Sequence, residues 1–195
     1  MEYYVYHIDE ALRLFGEDKN LSKPKQISLW AKQLLIHKIQ EKGLQFDTEI
    51  NYSKEGKPFF VFNPSLQFSI SHTNNYIAIA FCEKSIGIDI EKERKSKLEI
   101  ANRFFHPKEA EYLRNIKDKE EQNKAFTKIW TIKESYVKCI GTGIANNFKS
   151  FYIELPESTL NQIPTIHNNS NLVKITSIYD KETKLFISIC EMIEN

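Results

Sequence analysis

The sequence predicts an α+β fold made of two similar halves, and three observations carry that expectation. Strand-like segments come in runs: "LQFSISH", "YIAIAFCE" and "SIGIDIE", joined by short turns in mid-chain, then "FKSFYIEL", "LVKITSIY" and "TKLFISICEMI" near the end. The short mid-chain turns favour antiparallel pairing over parallel crossovers. Helical periodicity precedes each run, so the order is helix then strands, twice. "YIAIAFCE" and "LFISICEM" also share one alternating texture. The division is expected after the charged run "EKERKSK", giving an N-terminal α+β half, 1–97, and a C-terminal α+β half, 98–195.

The elements follow in chain order. In "SKPKQISLWAKQLLIHKIQEKG", Ile27, Trp30, Leu34 and Leu35 recur at helical spacing and Gly43 offers a stop. "NYSKEGKPFFVFNP" reads as a turn-rich stretch around Gly56, Lys57 and Pro58. The three mid-chain strands, separated by "TNN" and "EKS", are expected to form one antiparallel meander. "LEIANRFFHPKEAEYLRNI" and "EQNKAFTKIWTIKESYVKCIG" read as two helices, the second ended by Gly141 and Gly143. On the second, Phe126, Ile129, Trp130, Val137 and Ile140 make one apolar stripe.

Composition excludes several classes. A net charge of +1 supplies no basic field for nucleic acid or an anionic membrane. The longest apolar stretch, "YIAIAFC", falls far short of the roughly 20 residues that cross a bilayer. "MEYYVYHIDEALRLF" lacks the pattern of a signal peptide. Cys82, Cys139 and Cys190 are odd in number, sit in apolar segments and lack metal-ligand spacing, so they read as reduced core residues of a cytoplasmic protein.

The chemistry is sought in "IGIDIE". As a strand it turns Ile86, Ile88 and Ile90 one way and Gly87, Asp89 and Glu91 the other. Two carboxylates at that spacing lie roughly 6–7 Å apart. They suit either a solvated sheet face or a hard divalent cation such as Mg²⁺. Gly87 on the same face weakens the strand unless something approaches its backbone. Glu134 and Lys138, four apart beside the apolar stripe, suit either a surface ion pair or a pair looking into a cleft.

Taken in order, "GKP", "SISHT", "IGIDIE", "FFHPKEAEYL" and "WTIKESYVKCIGTG" resemble the 4′-phosphopantetheinyl transferases of the surfactin-synthetase-activating (Sfp) type. The match covers roughly residues 54 to 150. The resemblance implies two α+β halves in pseudo-twofold relation with coenzyme A in the cleft between them. It implies transfer of the phosphopantetheine arm of coenzyme A to a serine of an apo acyl or peptidyl carrier protein, releasing adenosine 3′,5′-bisphosphate. Asp89, Glu91 and Glu134 would then hold one Mg²⁺, with Mn²⁺ as a substitute. Lys138 would hold a diphosphate oxygen, Glu134 would take the serine proton directly or through a metal-bound water, and Asp89 completes the catalytic set. Lys57 and Pro58 would lie along the nucleotide, and Ser71 and His72 against its phosphates. Glu109 falls at a position acidic in the family. A monomer with no nucleic-acid or membrane partner is expected. One departure stands out: the family's arginine for the 3′-phosphate aligns with Ile27, leaving Lys23, Lys25 or Lys32 as substitutes. A Mg²⁺-dependent phosphohydrolase and a non-catalytic carrier-binding relative are the competing readings.

Overall fold

The computed structural model describes residues 1–143, 148–155, 164–167 and 172–193. Ten strands and five helices are assigned among them, as an α+β fold. The first unit runs β1 (Glu2–His7), α1 (Ile8–Phe15), α2 (Lys23–Glu41), β2 (Ile50–Tyr52), β3 (Pro58–Phe60), β4 (Gln67–Thr73) and β5 (Tyr76–Cys82). The second runs β6 (Ile86–Lys92), α3 (Leu98–Phe104), α4 (Pro107–Asn115), α5 (Lys119–Ile140), β7 (Tyr152–Glu154), β8 (Thr165–His167), β9 (Val173–Asp180) and β10 (Leu185–Met192).

The two units repeat one topology. Sheet order is β1-β5-β4 in the first and β6-β10-β9 in the second, all antiparallel, and each unit adds a two-stranded ribbon, β2-β3 or β7-β8. In both, the first strand of the unit pairs with the last. The two segments of shared texture, "YIAIAFC" and "LFISICEM", are the central strands β5 and β10.

That pairing corrects the expected meander. β6 does not hydrogen-bond along β5; Ile88 stands opposite Ile189, and Asp89 opposite Ser188, on β10. The unit break therefore falls at Glu83–Ser85, and a cut after residue 97 would strip the second sheet of an edge strand. Short turns on both sides of β5 are compatible with a meander, but the long-range partner β10 has the apolar alternation to outcompete a local one. The single helix expected over 98–116 is likewise two. Pro107 begins α4 and His106 caps it, because the residue before a proline is pushed out of helical backbone.

Each unit lays its longest helix on its sheet. α2 buries Ile27, Trp30, Ala31, Leu34, Leu35 and Ile39 against β4 and β5, the stripe read from the sequence. α5 behaves differently. Phe126, Ile129 and Val137 are buried as expected, yet so are Thr131, Lys133, Glu134, Ser135 and Cys139 around the rest of its circumference. The helix is enclosed, with β6 and β10 on one side and α4 and the segment 148–153 on the other. At the seam between the units, Ile86, Ile88 and Ile90 pack with Ala78, Ala80 and Ile189. All three cysteines are free thiols; Cys139 and Cys190 are buried, while Cys82 at the end of β5 is half-buried. Among the described residues no helix is long and apolar enough to cross a membrane.

Candidate active site at the seam of the two units

Gly87 sets the distance between β6 and α5. A Cβ built there would stand 2.0 Å from Ser135 O and 2.5 Å from Cys139 N. Only glycine lets the helix backbone rest on the strand. The approach expected at Gly87 is therefore real, and what approaches is α5. Two residues along the same face, Asp89 is carried beneath the helix and is 5% exposed, which rules out the solvated-face reading for this carboxylate.

Lys138 meets Asp89 there. Its Nζ lies 2.6 Å from Asp89 Oδ1 and also donates to Ser71 Oγ at 3.1 Å and Ile88 O at 3.2 Å. Ser71, from β4 of the first unit, donates to the same Asp89 oxygen at 2.7 Å. Ser69 and Ser71 also accept the backbone N–H groups of Ile88 and Ile90. Serine hydroxyls thus stand in for a backbone ladder where β4 runs beside β6. Among the described residues, Asp89 Oδ2 is buried with no hydrogen-bond partner. Leaving a carboxylate oxygen so is costly, and each such atom calls for an explanation.

Glu134 and Glu91 complete the acidic group. Glu134 is 6% exposed. Burial, with the charge of Asp89 adding to it, pushes its carboxyl up to about 7; Lys138 pulls the other way. Glu91 is raised too, mainly by burial, with Arg94 opposing and Asp89 reinforcing. Its Oε2 accepts from Thr73 Oγ1 at 3.2 Å and its Oε1 lies 3.6 Å from Arg94 Nη1. The three carboxylates feel one another's charge. Among the described residues, however, no three His, Cys, Asp or Glu side chains are already gathered as a metal-holding group. Lys138, not a surface partner on its own helix, balances Asp89.

The donors suit a hard cation even so. Carboxylate oxygens are what Mg²⁺ takes, the charge of Asp89 adds to burial in raising both glutamates, and Asp89 Oδ2 is a buried oxygen to which no described residue donates.

A cavity of about 390 Å³ opens beside this group, lined by Lys57, Pro58, Ser69, Glu134, Lys138 and Gly141 among others. A second, of about 220 Å³, shares Pro58, Phe68 and Ile70 with it and is lined also by Ser28, Lys32, Tyr52 and His72. The sequence-predicted residues thus divide. Asp89, Glu134, Lys138 and Ser71 come together, and Glu91 lies at their edge. Pro58 is the partition and His72 lines the far cavity. Lys57 lines the near one, but its ammonium is engaged: it donates to Cys139 O at 2.7 Å and Ser85 Oγ at 2.6 Å, capping the C-terminal end of α5 where a cation is favoured. Burial pulls the Lys57 pKa down. Gly141, in left-handed backbone with φ 73°, lets that side chain pass. Ile27 is core, Lys23 and Lys25 are exposed at the start of α2, and Lys32 lines the second of these cavities.

Two participants lie outside the expected set of site residues. Arg94 stacks over Trp130, 4.6 Å from the ring centroid, and faces Glu91. It hid in a charged run that reads as solvated surface. Thr73, the last residue of "SISHT" and a turn residue by type, donates its hydroxyl to Glu91.

Residues 85–190 match the profile of the 4′-phosphopantetheinyl transferase superfamily. The chain is 34% identical over 153 residues to the 4′-phosphopantetheinyl transferase gsp of Aneurinibacillus migulanus, covering 77% of this chain and 61% of that protein. It is 38% identical over 125 residues to the 4′-phosphopantetheinyl transferase Sfp of Bacillus subtilis (strain 168), covering 63% of this chain and 55% of that one. The chain thus spans little more than half the length of these relatives. The crystal structure of Thermotoga maritima holo-[acyl-carrier-protein] synthase (AcpS) superposes with a TM-score of 0.43 at 18% identity, covering 57% of this chain and 64% of that chain. The profile match extends over more than half of the sequence, and the chain belongs to the 4′-phosphopantetheinyl transferase superfamily.

Proposed function

We propose that this superfamily member transfers the 4′-phosphopantetheine arm of coenzyme A to a serine of an apo acyl or peptidyl carrier protein, acting as a monomer in the cytoplasm. One observation carries the reading. A lysine and a buried, half-satisfied aspartate face each other at the end of a cavity shared by two units, with a near-neutral glutamate beside them.

Phosphoryl transfer is mostly positioning and charge stabilisation. Asp89, Glu91 and Glu134 would hold the Mg²⁺ ion, which when bound supplies a positive charge against the diphosphate. Lys138 exchanges its hold on Asp89 for a diphosphate oxygen, as a compact point charge. Glu134 takes the proton of the attacking serine. Glu134 lines the same cavity as Lys138, within which that proton would be taken. The nucleophile arrives on the carrier, so the chain needs none of its own.

The two cavities offer a seat for the nucleotide on either side of Pro58. Lys32, resting over the Tyr52 ring at 5.8 Å, is the cation positioned to meet a terminal phosphate there. Ser71 acts mainly by fixing Asp89, and Lys57 by fixing the end of α5.

The test is transfer itself. Coenzyme A, Mg²⁺ and a panel of apo carrier proteins are incubated with the protein and the carriers are weighed by intact mass spectrometry. A phosphopantetheine mass gain that disappears in Glu134→Ala is expected. Hydrolysis of coenzyme A without a gain would favour a phosphohydrolase, and neither product would favour a non-catalytic binder.

A further inference from the structure

Glu109 and Lys133 form an ion pair with both side chains fully buried, 3.0 Å apart. Every polar atom of the pair is used. Lys133 Nζ donates to Phe148 O at 2.6 Å, to Phe151 O at 2.8 Å and to Glu109 Oε2, and lies 4.0 Å from the Phe151 ring centroid. Glu109 Oε2 also accepts from His106 N at 2.9 Å, and its Oε1 accepts from Ile153 N at 2.7 Å. One pair therefore ties the start of α4 and the segment 148–153 to the middle of α5.

Burying two charges is a poor way to gain stability, because well-packed apolar residues often serve as well or better. What such a pair does fix is geometry, since its hydrogen bonds are satisfied in one arrangement only. Here the geometry matters next door. Glu134 follows Lys133 directly and projects roughly 100° further round the helix, toward Asp89. A turn of roughly 20° about the axis would carry a carboxylate held about 6 Å from it through about 2 Å. Misplacement by about 1 Å can cost about a hundredfold in rate. On the strand side, Gly87 allows α5 to touch β6 but has no side chain to stop it turning, and the polar contacts there include Lys138 on Asp89 and Thr131 Oγ1, 2.9 Å from Ser188 Oγ of β10.

We propose that Glu109 and Lys133 are positioning residues that lock the rotation of α5 about its axis, and with it the placement of Glu134 and Lys138 against Asp89. The proposal rests on the transferase reading for its kinetic consequence, though not for its structural one.

Lys133→Met and Glu109→Gln are the test variants, compared with the wild type in two measurements. The first is carrier modification. With Lys133→Met, kcat should fall about tenfold or more while KM for coenzyme A stays within about threefold. Glu109→Gln, which keeps an acceptor for Ile153 N, should lose less. The second needs no activity: the backbone amide resonances of Ile88 to Glu91 on β6, under α5, should shift in both variants. A pair that merely stabilises the fold would lower the melting temperature and leave kcat of the folded protein and the β6 resonances at wild-type values, which overturns the proposal. If Lys133→Met does not fold, Glu109→Gln is judged on the same two readouts. If the wild type transfers nothing, the transferase reading fails and the β6 resonances alone decide the lock.

Discussion

Lys138 holds one oxygen of Asp89 at 2.6 Å and leaves the other buried without a partner among the described residues. The pair is a balance that a cation can tip. In Lys138→Met the Asp89 carboxylate loses its compensating charge. Because Lys138 is partly exposed, the cost to stability should be about 1–3 kcal/mol, below that of a fully buried pair. Mg²⁺ should then raise the melting temperature of the variant more than that of the wild type, since no ammonium competes for Asp89. Equal shifts in the two proteins would count against a cation at this carboxylate. Transfer by the variant should fall about a hundredfold to a thousandfold, as when a charge-stabilising donor is removed.

Gly87→Ala tests the contact that builds the site. Its Cβ would lie far inside van der Waals distance of Ser135 O and Cys139 N, both backbone atoms that cannot turn aside. The strain should cost about 3 kcal/mol or more, lowering the melting temperature by roughly 6–12 °C for a chain of this size. A melt within about 2 °C of wild type would show that α5 and β6 are not in this contact.

Stability should depend on pH through Glu134. The carboxyl has a usual value of 4.5 and about 7 in the folded protein. Between those values the folded state holds more protons than the unfolded one, so stability falls as pH rises through that window. The metal-free protein should therefore lose stability from pH 5 to pH 7.5 relative to Glu134→Gln in urea unfolding. A constant difference between the two would contradict the raised value.

Lys32→Met addresses the nucleotide. KM for coenzyme A should rise about tenfold, the effect of losing about 1.4 kcal/mol of charge-assisted contact, while dephospho-coenzyme A should be used equally well by variant and wild type. An equal rise for both donors would place the terminal phosphate elsewhere.

Much of this was legible in the sequence because it is local. Alternation in β4, β5, β6, β9 and β10 marks them as strands, and Ile27, Trp30, Leu34 and Leu35 mark α2. Spacing alone left Asp89, Glu91 and Glu134 as a solvated face or an ion pair; the resemblance of the motifs taken together singled them out. What stayed hidden is long-range. Strand β1 pairs with β5 across most of the first unit, and the short strands β2 and β3 flank a turn that masks them. The enclosure of α5 could not be read from its apolar stripe, because Lys133, Glu134 and Ser135 look like surface residues and owe their burial to partners far along the chain. Arg94 was hidden for the same reason, its place defined by Trp130 and Glu91 rather than by its neighbours in "EKERKSK".

The claim on which the account turns is that Asp89, Glu91 and Glu134 share one divalent cation, and the direct measurement is the anomalous scattering of Mn²⁺ in crystals grown with coenzyme A. One peak is expected in contact with Asp89 Oδ2 and both glutamates, with Lys138 withdrawn onto the diphosphate. A diphosphate seated in the cleft with Lys138 still on Asp89 and no peak among the three carboxylates would contradict it.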